Sequence, residues 1–482
     1  MDSRVPQFRT ESPSRELLAL LIVVFLGTQL FSFLEVGFIL YFVTVLGATF
    51  YVFRHPGEAI WVTFFLLAVT CLLYPMTVSE LGEPGAGEFR PYNFVIASIA
   101  IALAFSASRR RRRLPPTPLQ KQSGAAKWAL ALALVFCIAT IFGDLSPSRA
   151  GALYILQQTS AWISFFLFLW IGYRFAFSPV EIQQSIERLH SAVLIYSVVF
   201  LAKFVYLNYS VDLAAATDFA YTQRMALLFA GCSLVLMVGN GLAPEGRSPT
   251  KSDWLSAMIV LSAVVLSGSR AVTGAVILSV FVLAATWRSR SLLRFAPVVL
   301  ATLLVGVVIL RSNIQVVEEY VVNRFFISPD LDPSFGGRVA EMASVIEAVQ
   351  KNPVLGSGTL ASYTFFDPFF GWRESAFVDS GVGYLLLKTG LLGAGVFVLL
   401  VLSYLKVVGH LRQFVPADTL TPLVVFVFYL AFMPFGPSFF DPRYSWLVGI
   451  LCGYGLYLDK IYSDRYLSIC GGDASQWKSK LS

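Results

Sequence analysis

Arginines lie next to long apolar segments, at positions where a permanent charge is costly. Arg270 is in LSGSRAVTG, residues 266–274, between two apolar runs, and Arg224 begins another run within AYTQRMALLFAG. A charge at membrane depth costs about 3 kcal/mol or more, so such a residue is a candidate for function. Arginine stays charged and binds phosphate oxygens through two parallel N–H groups. Together these arginines favour a site for a diphosphate.

Further basic residues are predicted to share the outer side of the membrane with this pair: Lys203, Arg338, Arg373 and Arg443. Each opposes the bias that places lysine and arginine in cytoplasmic loops. Two interpretations are open for each residue. Either the side chain extends to the lipid headgroups or joins a local ion pair, such as Asp441 with Arg443, or it lines an anion site shared with Arg224 and Arg270.

Carboxylates are the candidate acid–base groups on the same side: Glu341, Asp367, Glu374 and Asp379. All three histidines of the chain, His55, His190 and His410, are predicted to face the cytoplasm, so none serves there as a base. Asp379 stands at the entry to an apolar run, where partial burial favours a role in proton transfer. Capping of the helix N-terminus is the equally open alternative for this residue.

The remaining residue types predict no metal site and no cofactor. No group of cysteine, histidine and carboxylate has the spacing of metal ligands, and the five cysteines lie mostly within apolar runs. Lys388, nine residues beyond Asp379, is predicted to pair with a buried group or to line a cavity. We therefore expect metal-independent chemistry.

Long apolar runs must position these charges. The 482-residue chain is 56% hydrophobic and 13% charged, with a mean hydropathy of +0.70. Apolar runs of about 17–25 residues recur along it, which is typical of transmembrane helices. We expect an all-α fold, a polytopic transmembrane helical bundle of about fourteen helices. The expected spans lie near 17–34, 36–53, 59–76, 92–107, 126–143, 153–173, 191–207, 221–240, 254–267, 271–287, 295–311, 380–405, 419–436 and 442–458.

The charges of the loops set the expected orientation. The run RRRRR at residues 109–113 and the basic residues near 247–251, 288–294 and 406–412 fall on one side, whereas Glu80, Glu83 and Glu88 fall on the other. By the positive-inside bias, both termini are expected to be cytoplasmic. The net charge of +7 therefore reflects topology and anionic lipid rather than nucleic acid.

One large hydrophilic segment, residues 312–377, is predicted to form a periplasmic loop. Residues 1–311 then contain about eleven N-terminal transmembrane helices, and residues 378–482 contain about three more and a cytoplasmic tail. Within the loop, RVAEMASVIEAVQ predicts an amphipathic helix, ended by Pro353 and Gly356. Its expected apolar face consists of Val339, Met342, Val345, Ile346 and Val349. The aromatic stretch YTFFDPFFGW suits either sugar stacking or anchoring at the membrane interface.

Four segments resemble the O-antigen ligase and O-antigen polymerase superfamily of bacterial envelope proteins. SGSRAVTG is similar to its Ser-Arg hairpin and QRMALLFAG to its other membrane-edge arginine motif. GGRVAEMASVIEAVQKNPVLGSG is similar to its outer-loop pattern, in which an arginine-led helix ends in a Pro-x-x-Gly-x-Gly turn. DSGVGYLLLKTGLLGAGVFVLL resembles the segment that follows. The resemblance covers residues 190–405.

Two departures bear on the activity that the resemblance implies. Ligases of the superfamily carry a histidine eleven residues before the first glycine of the last motif, and here Asp379 stands at that distance from Gly390. The tryptophan that often follows the loop arginine is also missing. The resemblance therefore implies a polysaccharide polymerase more than a lipid A-core ligase.

The implied reaction is metal-independent glycosyl transfer at the periplasmic face. An undecaprenyl-diphosphate-linked oligosaccharide would donate its reducing end to a sugar hydroxyl of a second lipid-linked repeat, building a surface or secreted polysaccharide. Arg270 and Arg224 would bind the donor diphosphate, and Asp379 or Glu374 would accept the hydroxyl proton. The further substrate-binding candidates are Arg338, Lys203 and Arg443. A chain-length regulator and a flippase are the expected protein partners, within membrane lipid.

Three alternatives stay open. A ligase would use the same donor and transfer the glycan to a lipid acceptor. A secondary transporter or flippase for an anionic or lipid-linked substrate would also use a cavity lined by arginine, although no internal repeat is evident. A membrane scaffold would not require the arginines on the outer side.

Overall fold

The computed structural model describes most of the helical part of the chain. The described residues are 36–73, 91–111, 124–142, 152–175, 177–211, 216, 219–220, 223–242, 250–267, 269–287, 333–367, 371–375, 378–412, 416–436 and 438–469. They form thirteen α-helices, a 3₁₀ turn at Pro56–Glu58 and a two-stranded antiparallel sheet. The predicted all-α membrane architecture is confirmed, and the small sheet is an element that the sequence reading did not anticipate.

Nine of the described helices precede the hydrophilic loop. They are α1 (Val36–Arg54), α2 (Ala59–Leu73), α3 (Pro91–Arg111), α4 (Gly124–Phe142), α5 (Ala152–Phe175), α6 (Pro179–Ser210), α7 (Arg224–Leu242), α8 (Lys251–Leu266) and α9 (Arg270–Trp287). The loop contributes α10 (Pro333–Lys351), β1 (Tyr363–Asp367) and β2 (Gly371–Ser375). The chain continues with α11 (Gly381–Arg412), α12 (Pro416–Phe432) and α13 (Pro442–Ile469).

These helices overlap twelve of the fourteen expected spans. The other two, near 17–34 and 295–311, lie outside the described residues. Within the part of the chain that is described, α4, α6 and α11 are long and apolar enough to cross a membrane. Six shorter apolar helical segments accompany them.

Close backbone contact joins α5 to α13 in the core. A Cβ on Gly172 would lie 2.1 Å from the carbonyl oxygen of Ile450, and a Cβ on Gly453 would lie 2.1 Å from that of Leu169. Small residues at helix interfaces allow membrane helices to approach at this distance, since packing rather than the hydrophobic effect holds them together. Phe439 and Phe440, between α12 and α13, pack on the same core through rings of α4, α5 and α11.

The helix α11 is broken at Gly390, and part of the loop docks on the break. Gly390 has φ 62° and ψ −160°, and Gly356 has φ 68°. The backbone N–H groups of Leu391 and Leu392 donate to the carbonyls of Pro353 and Val354, at 2.9 and 3.0 Å. Irregular backbone within a bundle is stable only where its polar groups are paired in this way. We call this contact between residues 353–359 and 387–392 the seam.

The amphipathic helix α10 buries only part of the face that was expected to be apolar and buried. Val345 is fully buried, but Val339 and Ile346 are 53% and 50% exposed. The buried row also includes Glu341, which is only 7% exposed. Because α10 packs against β1 and α11, this row places a carboxylate between three elements.

Candidate functional site

The two arginine-led helices lie side by side. A Cβ on Gly231 of α7 would lie 2.8 Å from Cγ1 of Val272 on α9. Gly231 is the eighth residue of α7 and Val272 the third of α9, so the first residues of both helices lie within about two turns of this contact. Arg224 and Arg270 are the first residues of these helices. Both residues therefore begin their helices close to this contact; the Arg224 side chain lies outside the described atoms.

Serines form the turn that places Arg270. Ser267 donates its hydroxyl to the carbonyl of Val264 at 2.5 Å, and Ser269 accepts from the backbone N–H of Val272 at 3.4 Å. Ser269 thus caps α9, and both serines are buried while Arg270 is exposed. An exposed guanidinium beside the N–H groups of a helix N-terminus is an arrangement that attracts anions.

The helix α12 joins the arginine-led pair to the carboxylates. Phe428, near the C-terminal end of α12, packs beside Gly231 of α7, and just beyond that same end the carbonyls of Met433 and Gly436 accept from the N–H of Gly381, at 2.9 and 3.2 Å. Gly381 begins α11, directly after Asp379 and Ser380. The structure therefore brings Arg270 and Asp379 to the same end of neighbouring elements.

Groups from two other elements of the structure contact the Glu341 carboxylate. Its Oε1 accepts from the hydroxyl of Tyr363 at 2.5 Å and from the backbone N–H of Asp379 at 3.2 Å. Burial raises the pKa of Glu341 to about 7, and the negative charge of Asp379 adds to this rise. The Tyr363 hydrogen bond and the Arg338 guanidinium act in the opposite direction. A carboxyl with this pKa can take up and release a proton at neutral pH.

Asp379 is exposed and does not cap its helix. Ser380 fills that role, since its hydroxyl accepts from the N–H of Gly383 at 3.3 Å and its carbonyl from the N–H of Tyr384 at 2.8 Å. The helix α11 is therefore capped by Ser380, and the capping interpretation of Asp379 does not hold. The carboxylate of Asp379 is left at the surface beside Glu341.

Glu374 lies on the other face of the hairpin from this pair. In the register of β1 and β2, Tyr363 faces Ser375 and Thr364 faces Glu374. Side chains alternate between the faces of a strand, so Glu374 points away from the face on which Tyr363 meets Glu341. Its carboxylate accepts from the hydroxyl of Ser362. The structure thus does not group the two predicted catalytic carboxylates, Asp379 and Glu374.

The remaining predicted binding residues have different surroundings. Arg443 forms an ion pair with the buried Asp441, at 2.5 Å between Nη2 and Oδ2, and its guanidinium lies 5.2 Å from the centre of the Tyr444 ring. This is the local pair that the sequence left open, and substrate binding by Arg443 stays a prediction. Lys203 lies 4.7 Å from the centre of the Phe219 ring. Arg338 is exposed on α10, one turn before Glu341; the Arg373 side chain is outside the described atoms.

The sequence named Glu341 among the candidate acid–base carboxylates of the outer side but did not place it among the catalytic or binding residues. The signal was present in its spacing, because Glu341 lies four residues before Val345 and so shares its helical face. Among the described residues there is no group of three or more potential metal ligands.

The match to a known sequence family covers part of this region of the molecule. Residues 255–398 match the family described as O-antigen ligase, and no curated protein matches the chain. The matched range contains Arg270, Glu341 and Asp379 and runs from α8 into α11. It supports membrane-bound glycan transfer of the ligase or polymerase type. The resemblance is confirmed: over these residues the chain is similar to the O-antigen ligase and polymerase superfamily.

Proposed function

We propose that this protein polymerises undecaprenyl-diphosphate-linked oligosaccharide repeats at the periplasmic face of a bacterial inner membrane. The observation that carries the proposal is the common location of two features. Arg270 is exposed at the start of α9, beside the helix that begins at Arg224, and the Glu341–Asp379 carboxylates lie at the same end of the bundle. The first feature suits a diphosphate and the second suits a hydroxyl that must lose a proton.

The reaction follows from these groups. The hydroxyl oxygen of the acceptor repeat attacks the anomeric carbon of the donor sugar, and the bond from that carbon to the diphosphate oxygen breaks. Arg270 and Arg224 stabilise the negative charge that develops on the leaving diphosphate. Asp379 receives the hydroxyl proton, and we favour it over Glu374, whose carboxylate lies on the other face of the hairpin. No metal is required for this step.

The periplasmic loop supplies the walls of the proposed sugar site. Arg338 on α10 is an exposed cation beside the carboxylates. We propose that Lys203 and Arg443 lie at the periphery of the sugar site. Phe366 and Trp372 lie on the exposed face of the hairpin, with ring centres 5.8 Å apart. Aromatic faces of this kind suit contact with sugars or with the membrane interface.

A reconstituted assay tests the proposal. Purified protein in proteoliposomes, supplied with lipid-linked repeat and no ion gradient, should produce longer glycans on gels. Arg270→Lys keeps the charge but loses the bidentate geometry, so we expect turnover to fall about 100-fold or more. Arg174→Lys, an exposed arginine at the end of α5, is the matched control and should behave as wild type.

The outcomes separate the candidate functions. No chain growth by the wild-type protein, or wild-type growth by Arg270→Lys, would overturn the proposal. The family description favours a ligase as the second candidate. Transfer to an added lipid acceptor, with no growth on lipid-linked repeats, would identify that activity. Movement of the lipid-linked repeat across the bilayer without new bonds would identify a flippase.

A further inference from the structure

We infer that Glu341 and Asp379 act as one proton-accepting pair, in which exposed Asp379 contacts the acceptor hydroxyl and buried Glu341 holds the proton. This inference rests on the proposed glycosyl transfer and deepens it by naming a residue that acts through Asp379. Glu341 is a positioning residue in this scheme, since its carboxylate contacts the backbone of Asp379 rather than the sugar.

Geometry provides the first support. Three elements that are distant in the sequence meet at the Glu341 carboxylate: α10 carries it, β1 contributes the hydroxyl of Tyr363, and the start of α11 contributes the N–H of Asp379. Both hydrogen bonds end on Oε1, so Oε2 is the oxygen that can carry a proton. A buried carboxylate fixed by two donors keeps its position whether or not Oε2 is protonated.

Electrostatics provides the second support. The charged and titratable groups facing Glu341 are Arg338 from its own helix, Tyr363 from the hairpin and Asp379 from the start of α11. Burial raises the pKa of Tyr363, so this group stays a neutral donor. Two carboxylates in one site cannot both ionise easily, and burial makes Glu341 the member that binds the proton more tightly.

The proton balance is simple. As the new glycosidic bond forms, the acceptor hydroxyl gives its proton to Asp379, and the electron pair of the broken bond stays on the diphosphate oxygen. The proton passes to Oε2 of Glu341, which restores the Asp379 carboxylate, and Glu341 later releases it to water through Asp379. A group with a pKa near the working pH is suited to both uptake and release.

Glu341→Gln provides a sharp test, because an amide oxygen can still accept from Tyr363 and from the Asp379 N–H but cannot take up a proton. We expect kcat to fall about 100-fold while KM for the lipid-linked repeat changes little. The wild-type rate should rise with pH and level off above about pH 7, and the variant should lose this dependence. Glu347→Gln is the matched control, since Glu347 is exposed on the same helix and pairs only at the surface with Lys351 at 3.4 Å.

Stability and infrared spectra distinguish this role from a structural one. The pKa of Glu341 is raised from 4.5 to about 7 in the folded state, so its contribution to stability is complete below pH 4.5 and is lost as the pH rises through 7. Glutamine has no carboxyl that must ionise in the folded protein above pH 7. The variant's Tm at about pH 8 should therefore equal or exceed that of wild type. Infrared spectra of wild type should show a protonated carboxyl that disappears near pH 7 and is missing in Glu341→Gln.

The possible results distinguish a failure of the Glu341–Asp379 inference from a failure of the proposed function. Chain growth by wild type together with normal kcat and pH profile in Glu341→Gln would overturn the inference and leave the polymerase standing. A spectrum without the titrating carboxyl would also overturn it, whatever the activity. No chain growth by wild type at any pH would instead overturn the proposed function.

Discussion

The seam and the carboxylate end of the loop, where Glu341 meets Tyr363 and Asp379, bury polar groups in opposite ways. At the seam, backbone groups pair with backbone groups, and next to it the buried ammonium of Lys388 donates to the carbonyl of Ala361 at 2.7 Å. At the carboxylate end, the buried Glu341 lies beside another acidic group, and its pKa is raised. A fully bonded site fixes the chain, whereas a site with like charges is poised for proton chemistry.

This difference assigns a role to each end of the loop. The seam anchors the loop on the break in α11, a few residues from the hairpin that carries Tyr363. We expect the carboxylate end to depend on that anchor, because Ala361, which accepts from Lys388, lies two residues before Tyr363. Variants at the seam should therefore act on folding, and variants at the carboxylate end should act on turnover.

Gly390→Ala should have the largest effect. Its φ and ψ lie in a region that is almost restricted to glycine, and a Cβ would lie 2.5 Å from the N of Gly356 and from the O of Val354. We expect a loss of about 3 kcal/mol or more, enough to reduce folded protein sharply in detergent. Size-exclusion profiles and thermal unfolding measure this.

Gly395→Ala is the control on the same helix. A Cβ there would meet no atom within 4 Å, so the variant should keep the wild-type profile. Equal Tm values for the two variants would show that the break at Gly390 does not constrain the fold.

Asp379→Asn should have the next largest effect, and on turnover alone. Its side chain is exposed and Ser380 caps the helix, so we expect an unchanged Tm and a fall of about 100-fold in kcat. Ser380→Ala is the opposite case, with a loss of about 1 kcal/mol of stability and nearly normal turnover. Near-normal chain growth by Asp379→Asn would remove this residue from proton transfer.

The sequence predicted the helices well because each one carries its own signal. Apolar runs located twelve of the spans, and the arginines at positions 224 and 270 mark the first residues of α7 and α9. The break at Gly390 was not predicted, because its cause is tertiary: the backbone of residues 353–359 occupies the place of the missing helical bonds. The orientation of the chain and the roles of its site residues stay predictions.

The burial of individual residues was the least predictable feature. Val339 and Ile346 looked like core residues and are exposed, whereas Glu341 looked like a surface residue and is buried. Helical periodicity gives the direction of each side chain but not which direction faces the protein. Only the docking of β1 and α11 on α10 decides this, and no local pattern encodes that docking.

Lys388→Met should have a smaller effect than Gly390→Ala or Asp379→Asn, and it tests whether the two ends of the loop are coupled. The change removes a buried charge, which is favourable, but leaves the Ala361 carbonyl without its donor, so we expect a net loss of about 1–2 kcal/mol. Lys406→Met, at an exposed position of α11, is the control and should match wild type. If the seam positions Tyr363, the protonated carboxyl of Glu341 should titrate over a broader pH range in Lys388→Met, because its hydrogen bond becomes partly occupied. An infrared titration identical to wild type, despite a lowered Tm, would show that the carboxylate end holds its geometry without the seam.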